Sequence, residues 1–166
     1  NVLDSYQNMS KKNIILFPHR LAPEKQPEIF RDLKEHLPKY ECIICQEQTL
    51  SKNDYHNLLG EAKIVFSANL QETLGISWHE GALVDTIPMV PDRLSYKEMA
   101  MKEFKYPSSW TENMDSYRKN KEKIIDRIHD YIRNYKDYTV KLKKQQYILK
   151  TNYFSGKKLY EVIASD

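Results

Sequence analysis

Four short, continuous apolar runs constrain the fold of this chain more than any other feature of its sequence. In chain order they are "NIILFP" from Asn13, "ECIICQ" from Glu41, "KIVFSA" from Lys63 and "IPMVPD" from Ile87. An apolar run of this length without polar alternation is typical of a strand that is buried on both faces. Helical patterns separate the runs: "PEIFRDLKEHLP", "SKNDYHNLLGEA" and "LGISWHEGALVD". This alternation predicts an α/β fold, a Rossmann-like parallel sheet with helices on both of its faces.

Local residues also predict where two of these helices begin. Proline suits the first turn of a helix because its missing N–H needs no partner there, so we expect Pro27 to open the first helix. Ser and Asn side chains cap helix N-termini, which makes Ser51 or Asn53 the expected cap of the second helix.

The pattern changes after Glu112. An apolar stripe with helical spacing predicts one amphipathic helix packed on the body, and a further helical stretch runs to about Lys150. The stripe consists of Ile124, Ile125, Ile128, Tyr131, Ile132 and Tyr135. We therefore predict a Rossmann-like domain over residues 1–111 and a helical C-terminal extension, residues 112–166, that packs on the same domain.

The length of 166 residues fits one domain with a sizeable core. No apolar run approaches the roughly 18 residues that a membrane span needs, so none is expected. The chain begins with Asn1 rather than Met. We therefore expect it to be a segment of a longer protein.

The two cysteines, Cys42 and Cys45, form a C-x-x-C pattern. Metal or redox chemistry would need a second ligand pair or a helix start nearby, and neither is present. At strand spacing the two thiols face opposite sides of the sheet. We interpret them as buried strand thiols, which favours a reducing, cytoplasmic location.

The net charge of +3 is unevenly distributed. Residues 1–116 carry 13 Lys/Arg and 17 Asp/Glu, whereas residues 117–150 carry 11 Lys/Arg and 4 Asp/Glu. This basic segment is either the solvated face of a long helix or a surface for nucleic acid or an anionic membrane. Its tyrosines fall on the apolar stripe rather than where bases could stack, so no stable nucleic-acid partner is expected.

A binding site is expected at the carboxyl edge of the predicted sheet, where ligands of open α/β sheets bind. Arg20 and Lys25 follow the first strand, and the free amides at the start of the third helix follow the third strand. Cations and a helix N-terminus together suit a diphosphate. The carboxylates Glu72 and Glu80 can then accept hydrogen bonds from sugar and ribose hydroxyls, respectively. Neither a Walker lysine loop nor a G-x-G-x-x-G motif is present.

These residues carry a family resemblance. "ILFPHRLAPEKQPEIF" and "AKIVFSANLQETLGISWHEGALVDTIPMVPDRLSYKEM" resemble the C-terminal half of retaining GT-B glycosyltransferases of glycosyltransferase family 4, over roughly residues 13–99. The family's E-x7-E element is matched by Glu72 and Glu80. Its Arg and Lys after the first strand are matched by Arg20 and Lys25, and its small-residue helix before a Pro-started strand by "EGALVDTIPMV".

The resemblance implies a role for each matched residue. Arg20 and Lys25 would hold the donor diphosphate and Glu72 the transferred sugar, so these three are the expected catalytic residues, while Glu80 would hold the ribose. The donor-binding residues implied are Arg20, Lys25, Glu72, Thr73, Leu74, Gly75, Ile76 and Glu80. No metal and no cofactor is implied, and the nucleotide-diphosphate sugar is the substrate.

The resemblance also implies a two-domain enzyme whose N-terminal, acceptor-binding domain is not part of this chain. The segment alone is expected to bind a sugar nucleotide and to transfer nothing. One alternative is a non-catalytic Rossmann-like scaffold domain. His19 favours it where the family usually has Gly before the arginine, and so does Asp85-Thr86-Ile87 where the family usually has Gly before the proline. The other alternative is a nucleic-acid-binding module that uses the basic tail.

Four further polar residues have a predicted place. Trp78 and His79 are expected to serve packing and surface rather than catalysis, and His56 to be an ordinary helix residue. Arg93 follows the fourth strand, and the sequence leaves open whether its loop lines the site or only caps the next helix.

Overall fold

A computed structural model describes residues 3, 6, 9–71 and 76–153 of this chain. Five strands form one sheet in the order β2-β1-β3-β4-β5, and every neighbouring pair is parallel. Their bounds are Ile14–Phe17 (β1), Glu41–Ile44 (β2), Ile64–Phe66 (β3), Ile87–Pro91 (β4) and Lys105–Tyr106 (β5). The predicted parallel α/β sheet is confirmed. The edge strand β5 was not predicted, because two residues are too short to show a pattern.

Six α-helices connect and cover the strands within the described residues. Their bounds are Pro27–His36 (α1), Lys52–Glu61 (α2), Ile76–Leu83 (α3), Tyr96–Met99 (α4), Met114–Arg133 (α5) and Tyr135–Ile148 (α6). Pro27 opens α1, and Ser51 rather than Asn53 caps α2, with Asp54 completing a capping box. None of these helices is both long and apolar enough to cross a membrane.

The direction of each crossover decides which face a helix covers. The chain moves one way from β1 to β2 and the opposite way from β2 through β3 and β4 to β5. Because parallel crossovers are right-handed, α1 must lie on one face and α2, α3 and α4 on the other. The two apolar cores follow this division: Phe30 of α1 packs in one, and Leu59 of α2 and Trp78 of α3 pack in the other.

The C-terminal helices extend both cores. Ile124, Ile128 and Tyr131 of α5 are each at most 1% exposed and belong to the same core as α1. The predicted stripe is therefore buried, but it spans two helices, because α5 ends before Asn134 and the half-buried Tyr135 begins α6. Beyond α6, Leu149 packs in the core on the opposite face of the sheet.

The two cysteines are buried and free, with Cys42 in one core and Cys45 in the other. Burial raises the pKa of each thiol to about 11. Both thiols therefore remain protonated at neutral pH, in agreement with the structural interpretation of this pair.

Candidate functional site

The site lies where the strand order reverses. The neighbours of β1 are β2 and β3, which the chain reaches in opposite directions, so a crevice opens beyond the carboxyl ends of these strands. A pocket of about 600 Å³ occupies this position, between the β2–α2 loop and the N-terminal ends of α2 and α3. Its polar lining includes Gln46, Gln48, Ser51, His56, Ser77 and Glu80. The volume is within the range of small-molecule sites.

Glu80 is the buried carboxylate of this pocket. It is the fifth residue of α3, one turn inside the helix as predicted, and it is 6% exposed. The His56 side chain, 3% exposed, donates from Nε2 to Glu80 Oε2 over 3.3 Å. A buried carboxylate requires such a partner. His56 thus fixes one oxygen of Glu80 while the residue still lines the pocket.

His56 is the site residue that sequence reasoning missed. Within α2 the buried residues are His56, Leu59 and Gly60, at spacing i, i+3, i+4. This spacing places His56 on the inward face and was a usable signal. Its partner could not be read from the sequence, because Glu80 lies 24 residues away on another helix.

The charges of the lining indicate what the pocket can hold. Glu80, His56 and Lys52 are its ionisable groups apart from Tyr55 and the Cys45 thiol, and the other polar groups are neutral amides and hydroxyls. A lining with a single lysine does not neutralise the negative charge of a diphosphate. It does suit a hydroxylated, uncharged group such as a nucleoside, whose hydroxyls would donate to the carboxylate.

The two predicted cations lie at the loop after β1 and are not part of the pocket lining. Arg20 is exposed, and its guanidinium lies 3.6 Å from the carboxylate of Glu24. Lys25 is 7% exposed and donates from Nζ to the carbonyl oxygen of Gln71 over 3.0 Å. Lys25 therefore fixes the backbone at Gln71, in the loop that follows β3.

Residues 72–75 lie outside the described part of the chain. The predicted site residues Glu72, Thr73, Leu74 and Gly75 fall there, and Ile76 is described only as the first residue of α3. The residues on either side of this segment are described: Gln71 accepts a hydrogen bond from Lys25, and Ser77 lines the pocket. The chain therefore enters and leaves this segment at the carboxyl edge of the sheet.

Side chains from two other loops anchor the segment before residue 72. Gln26, in a left-handed conformation with φ 52°, donates from Nε2 to the carbonyl oxygens of Ala68 and Thr111 over 2.8 and 2.6 Å. Arg93 donates from Nε to Asn69 O over 2.8 Å and from its terminal nitrogens to the carbonyl oxygens of Ala68, Ser108 and Thr111. Arg93 therefore organises the edge of the site through backbone contacts.

The two departures from the family pattern have structural partners. His19 donates from Nε2 to Phe66 O over 2.9 Å, which ties the end of β1 to the end of β3. Asp85 has a φ of 64°, a region that Asp tolerates better than most residues, and its carboxylate accepts from Lys143 and Gln146. Since Asp85 precedes β4, it lies at the amino edge, opposite the Glu80 pocket.

Trp78 and His79 are core residues. Each is 1% exposed, and their ring centroids are 4.4 Å apart. The prediction that they serve packing is confirmed, whereas the expected surface exposure is wrong, because the whole stretch of α3 from Trp78 to Leu83 is buried. Among the residues with described positions, no group of three His, Cys, Asp or Glu side chains is placed to hold a metal ion.

The chain was also compared with known proteins. No protein-family model matches it, and a search of curated protein sequences found no significant match.

Proposed function

We propose that this chain is the donor-binding domain of a retaining GT-B glycosyltransferase and binds a nucleoside-diphosphate sugar for transfer to an acceptor. The observation that carries the proposal is the pocket at the strand-order reversal, with a buried carboxylate one turn inside α3. Such a carboxylate is a strong acceptor for a pair of hydroxyls. The resemblance of residues 13–99 to glycosyltransferase family 4 supports the same proposal.

In this proposal the nucleoside, the diphosphate and the sugar of the ligand occupy different positions along the carboxyl edge of the sheet. The uncharged nucleoside lies in the 600 Å³ pocket, with its ribose hydroxyls on Glu80. The diphosphate lies outside the pocket, toward the start of α3, where helix N-terminal amides and the exposed Arg20 favour an anion. Lys25 positions the loop that leads to Glu72 by holding Gln71. Glu72 contacts the transferred sugar.

The chemistry in the complete enzyme would depend on positioning and on stabilising the departing diphosphate. His56 contributes by fixing the Glu80 carboxylate, so that the ribose is held without reorganisation of the site. The acceptor-binding half would come from the rest of the protein, which makes transfer by this chain alone unexpected.

The first experiment is a thermal-shift screen against UDP-, GDP- and ADP-glucose, followed by calorimetry with the ligand that stabilises the chain. Glu80→Gln should weaken both the sugar nucleotide and the free nucleoside diphosphate by about tenfold or more, because hydrogen bonds to a charged group contribute roughly 1.5–3 kcal/mol. Glu72→Gln should weaken only the sugar nucleotide, since it contacts the sugar.

Glu122→Gln is the matched control, because Glu122 is an exposed carboxylate on α5 and does not line the pocket. Its affinity should equal that of the unchanged chain. Absence of binding by every nucleotide and sugar nucleotide would contradict the proposal. Equal affinity of the Glu80→Gln and Glu122→Gln variants would place the nucleoside elsewhere.

A further inference from the structure

A second large pocket lies at the opposite edge of the sheet and plays no part in the proposed donor site. It has a volume of about 660 Å³ and lies below the amino ends of the strands, where α5 ends and α6 begins. Lys11 precedes β1 in the chain and Lys63 precedes β3, so both reach this edge. We call it the amino-edge pocket.

The lining of the amino-edge pocket is strongly cationic. Four cations from three separate parts of the chain converge on it, and Asp137 is the one carboxylate among the described lining residues. The cations are Lys11, Lys63, Arg133 and Lys136. Like charges brought together in a concave surface repel one another, and an anion in the pocket relieves this repulsion.

The backbone contributes little net potential to the amino-edge pocket. Asn134 is the N-cap of the 14-residue helix α6 and makes no side-chain capping bond, and the first turn of α6 lines the pocket. Asn134 is also the C-cap of α5, so the negative end of the α5 dipole lies at the same place and offsets the positive end of the α6 dipole. The Tyr135 ring forms a wall of the pocket, with Lys63 Nζ 5.7 Å from its centroid.

Lys11 is the most enclosed of the four cations. Its Nζ donates to Val84 O over 2.7 Å and to Thr86 Oγ1 over 2.9 Å. Burial lowers the pKa of Lys11 to about 7, Asp85 opposes this effect, and Lys143 adds to it. Burial is the main cause of this shift, so an anion bound beside Lys11 would favour its charged form.

From this convergence of four cations on one concave pocket we propose that the amino-edge pocket binds a phosphate-bearing ligand. Its volume of about 660 Å³ is within the range of small-molecule sites. A soluble phosphate ester and an anionic lipid headgroup share this chemistry. The proposal is independent of the donor site, because Glu80 and the amino-edge pocket lie at opposite edges of the sheet.

The test is a titration of the isotopically labelled full chain with inorganic pyrophosphate, followed by NMR. Pyrophosphate can also bind near Arg20, so the readout must be local. We expect the amides of residues 11–13 and 134–137 to shift in a saturable manner. Lys63→Gln and Arg133→Gln should each weaken this set of shifts by about fivefold or more, because each removes a charged donor.

Lys123→Gln and Arg118→Gln are the matched controls, since they remove the same charges from exposed positions of α5 outside the pocket. They should leave the affinity at residues 134–137 unchanged. A second arm measures cosedimentation with vesicles that contain phosphatidic acid. If the chain cosediments with the vesicles and Lys63→Gln abolishes this, the phosphate belongs to a lipid headgroup. If the chain binds pyrophosphate but not the vesicles, the phosphate belongs to a soluble ligand.

Affinity should also depend on pH through Lys11. Sulfate is the suitable probe, because it stays a dianion while Lys11 titrates. Between about pH 6.5 and 8.5 the affinity should fall about fivefold or more as Lys11 loses its proton, and Lys11→Gln should flatten this profile. The proposal is overturned if residues 134–137 do not shift and vesicles are not bound. It is also overturned if the Lys63 and Arg133 variants bind as tightly as their controls.

Discussion

His79 couples the stability of this chain to pH. Its side chain is 1% exposed, and burial lowers its pKa from 6.5 to about 3. The imidazole is therefore neutral in the folded chain at pH values where the unfolded chain binds a proton. Below about pH 6.5 the unfolded state gains that proton and the folded state does not, so the free energy of unfolding falls as the pH falls toward 3.

The first prediction follows from this loss of stability at low pH. Between pH 7 and pH 5, His79 should cost the folded state about 2 kcal/mol of stability, at up to about 1.4 kcal/mol per pH unit. Urea denaturation of a His79→Gln variant should show a shallower dependence on pH than the unchanged chain. His36→Gln, which alters an exposed histidine, should keep the steeper dependence. Parallel pH profiles for the two variants would contradict the prediction.

Arg93 shows how a residue can organise a site without entering it. The sequence left open whether its loop lines the site or caps a helix. The structure gives Arg93 a third role, because its guanidinium fork joins carbonyl groups that follow β3 to those that follow β5. Lysine cannot reproduce these contacts, since it presents a point charge on a flexible stem.

At the scale of elements, Arg93 therefore determines how firmly the loops after β3 and β5 are held together. Arg93→Lys should lower the free energy of unfolding by at least about 2 kcal/mol, because Asn69 O and Ser108 O lose their Arg93 donors, although Gln26 still donates to Ala68 O and Thr111 O. Arg118→Lys is the matched control, since Arg118 makes an exposed ion pair with Asp115 and should change stability by less than about 1 kcal/mol. Chemical denaturation of both variants makes the comparison, and equal stabilities would contradict it.

The helix α3 shows the limit of pattern reading at this scale. Its residues from Trp78 to Leu83 are all buried, so it has no polar face whose spacing would show which side meets the sheet. Its contact with β3 is close: a Cβ on Gly81 would lie 3.0 Å from Val65 Cγ2. The position of Glu80 in the pocket follows from this packing and not from an amphipathic pattern.

At the scale of the whole molecule, the C-terminal helices are needed to complete the core. Ile124, Ile128 and Tyr131 of α5 each bury almost their entire side chain against it. Together they contribute roughly 5–9 kcal/mol, at about 1.5–3 kcal/mol for each fully buried apolar side chain. That is comparable to the whole stability of a typical domain, about 5–15 kcal/mol.

The predicted division into residues 1–111 and 112–166 should therefore not be a division into independently stable units. A fragment of residues 1–111 should lack a cooperative thermal transition by circular dichroism, whereas the full chain should unfold in one transition. Val140→Ala in the full chain is the control, because Val140 of α6 is 75% exposed and its truncation does not disturb the core. This variant should still unfold in one transition. Cooperative unfolding of the 1–111 fragment would contradict the prediction.

The sequence by itself determined four of the five strands, the two-sided cover of helices and the buried stripe of the C-terminal part. It also determined one helix start, Pro27, and narrowed the cap of α2 to Ser51 or Asn53, of which the structure has Ser51. These features depend on neighbouring residues: a short apolar run must be buried on both faces, and a cap bonds to the helix that follows it. The position of Glu80 one turn inside a helix was predictable for the same reason.

The tertiary structure alone decided which of these residues meet. His56 reaches Glu80, Arg93 reaches the backbone after β3, and Lys11 and Lys63 come to the same pocket as Arg133. Each of these relations joins distant segments, and it depends on the strand order and on the hand of each crossover. A local pattern fixes the hydrophobic face of an element, but it does not fix which other element that face will meet.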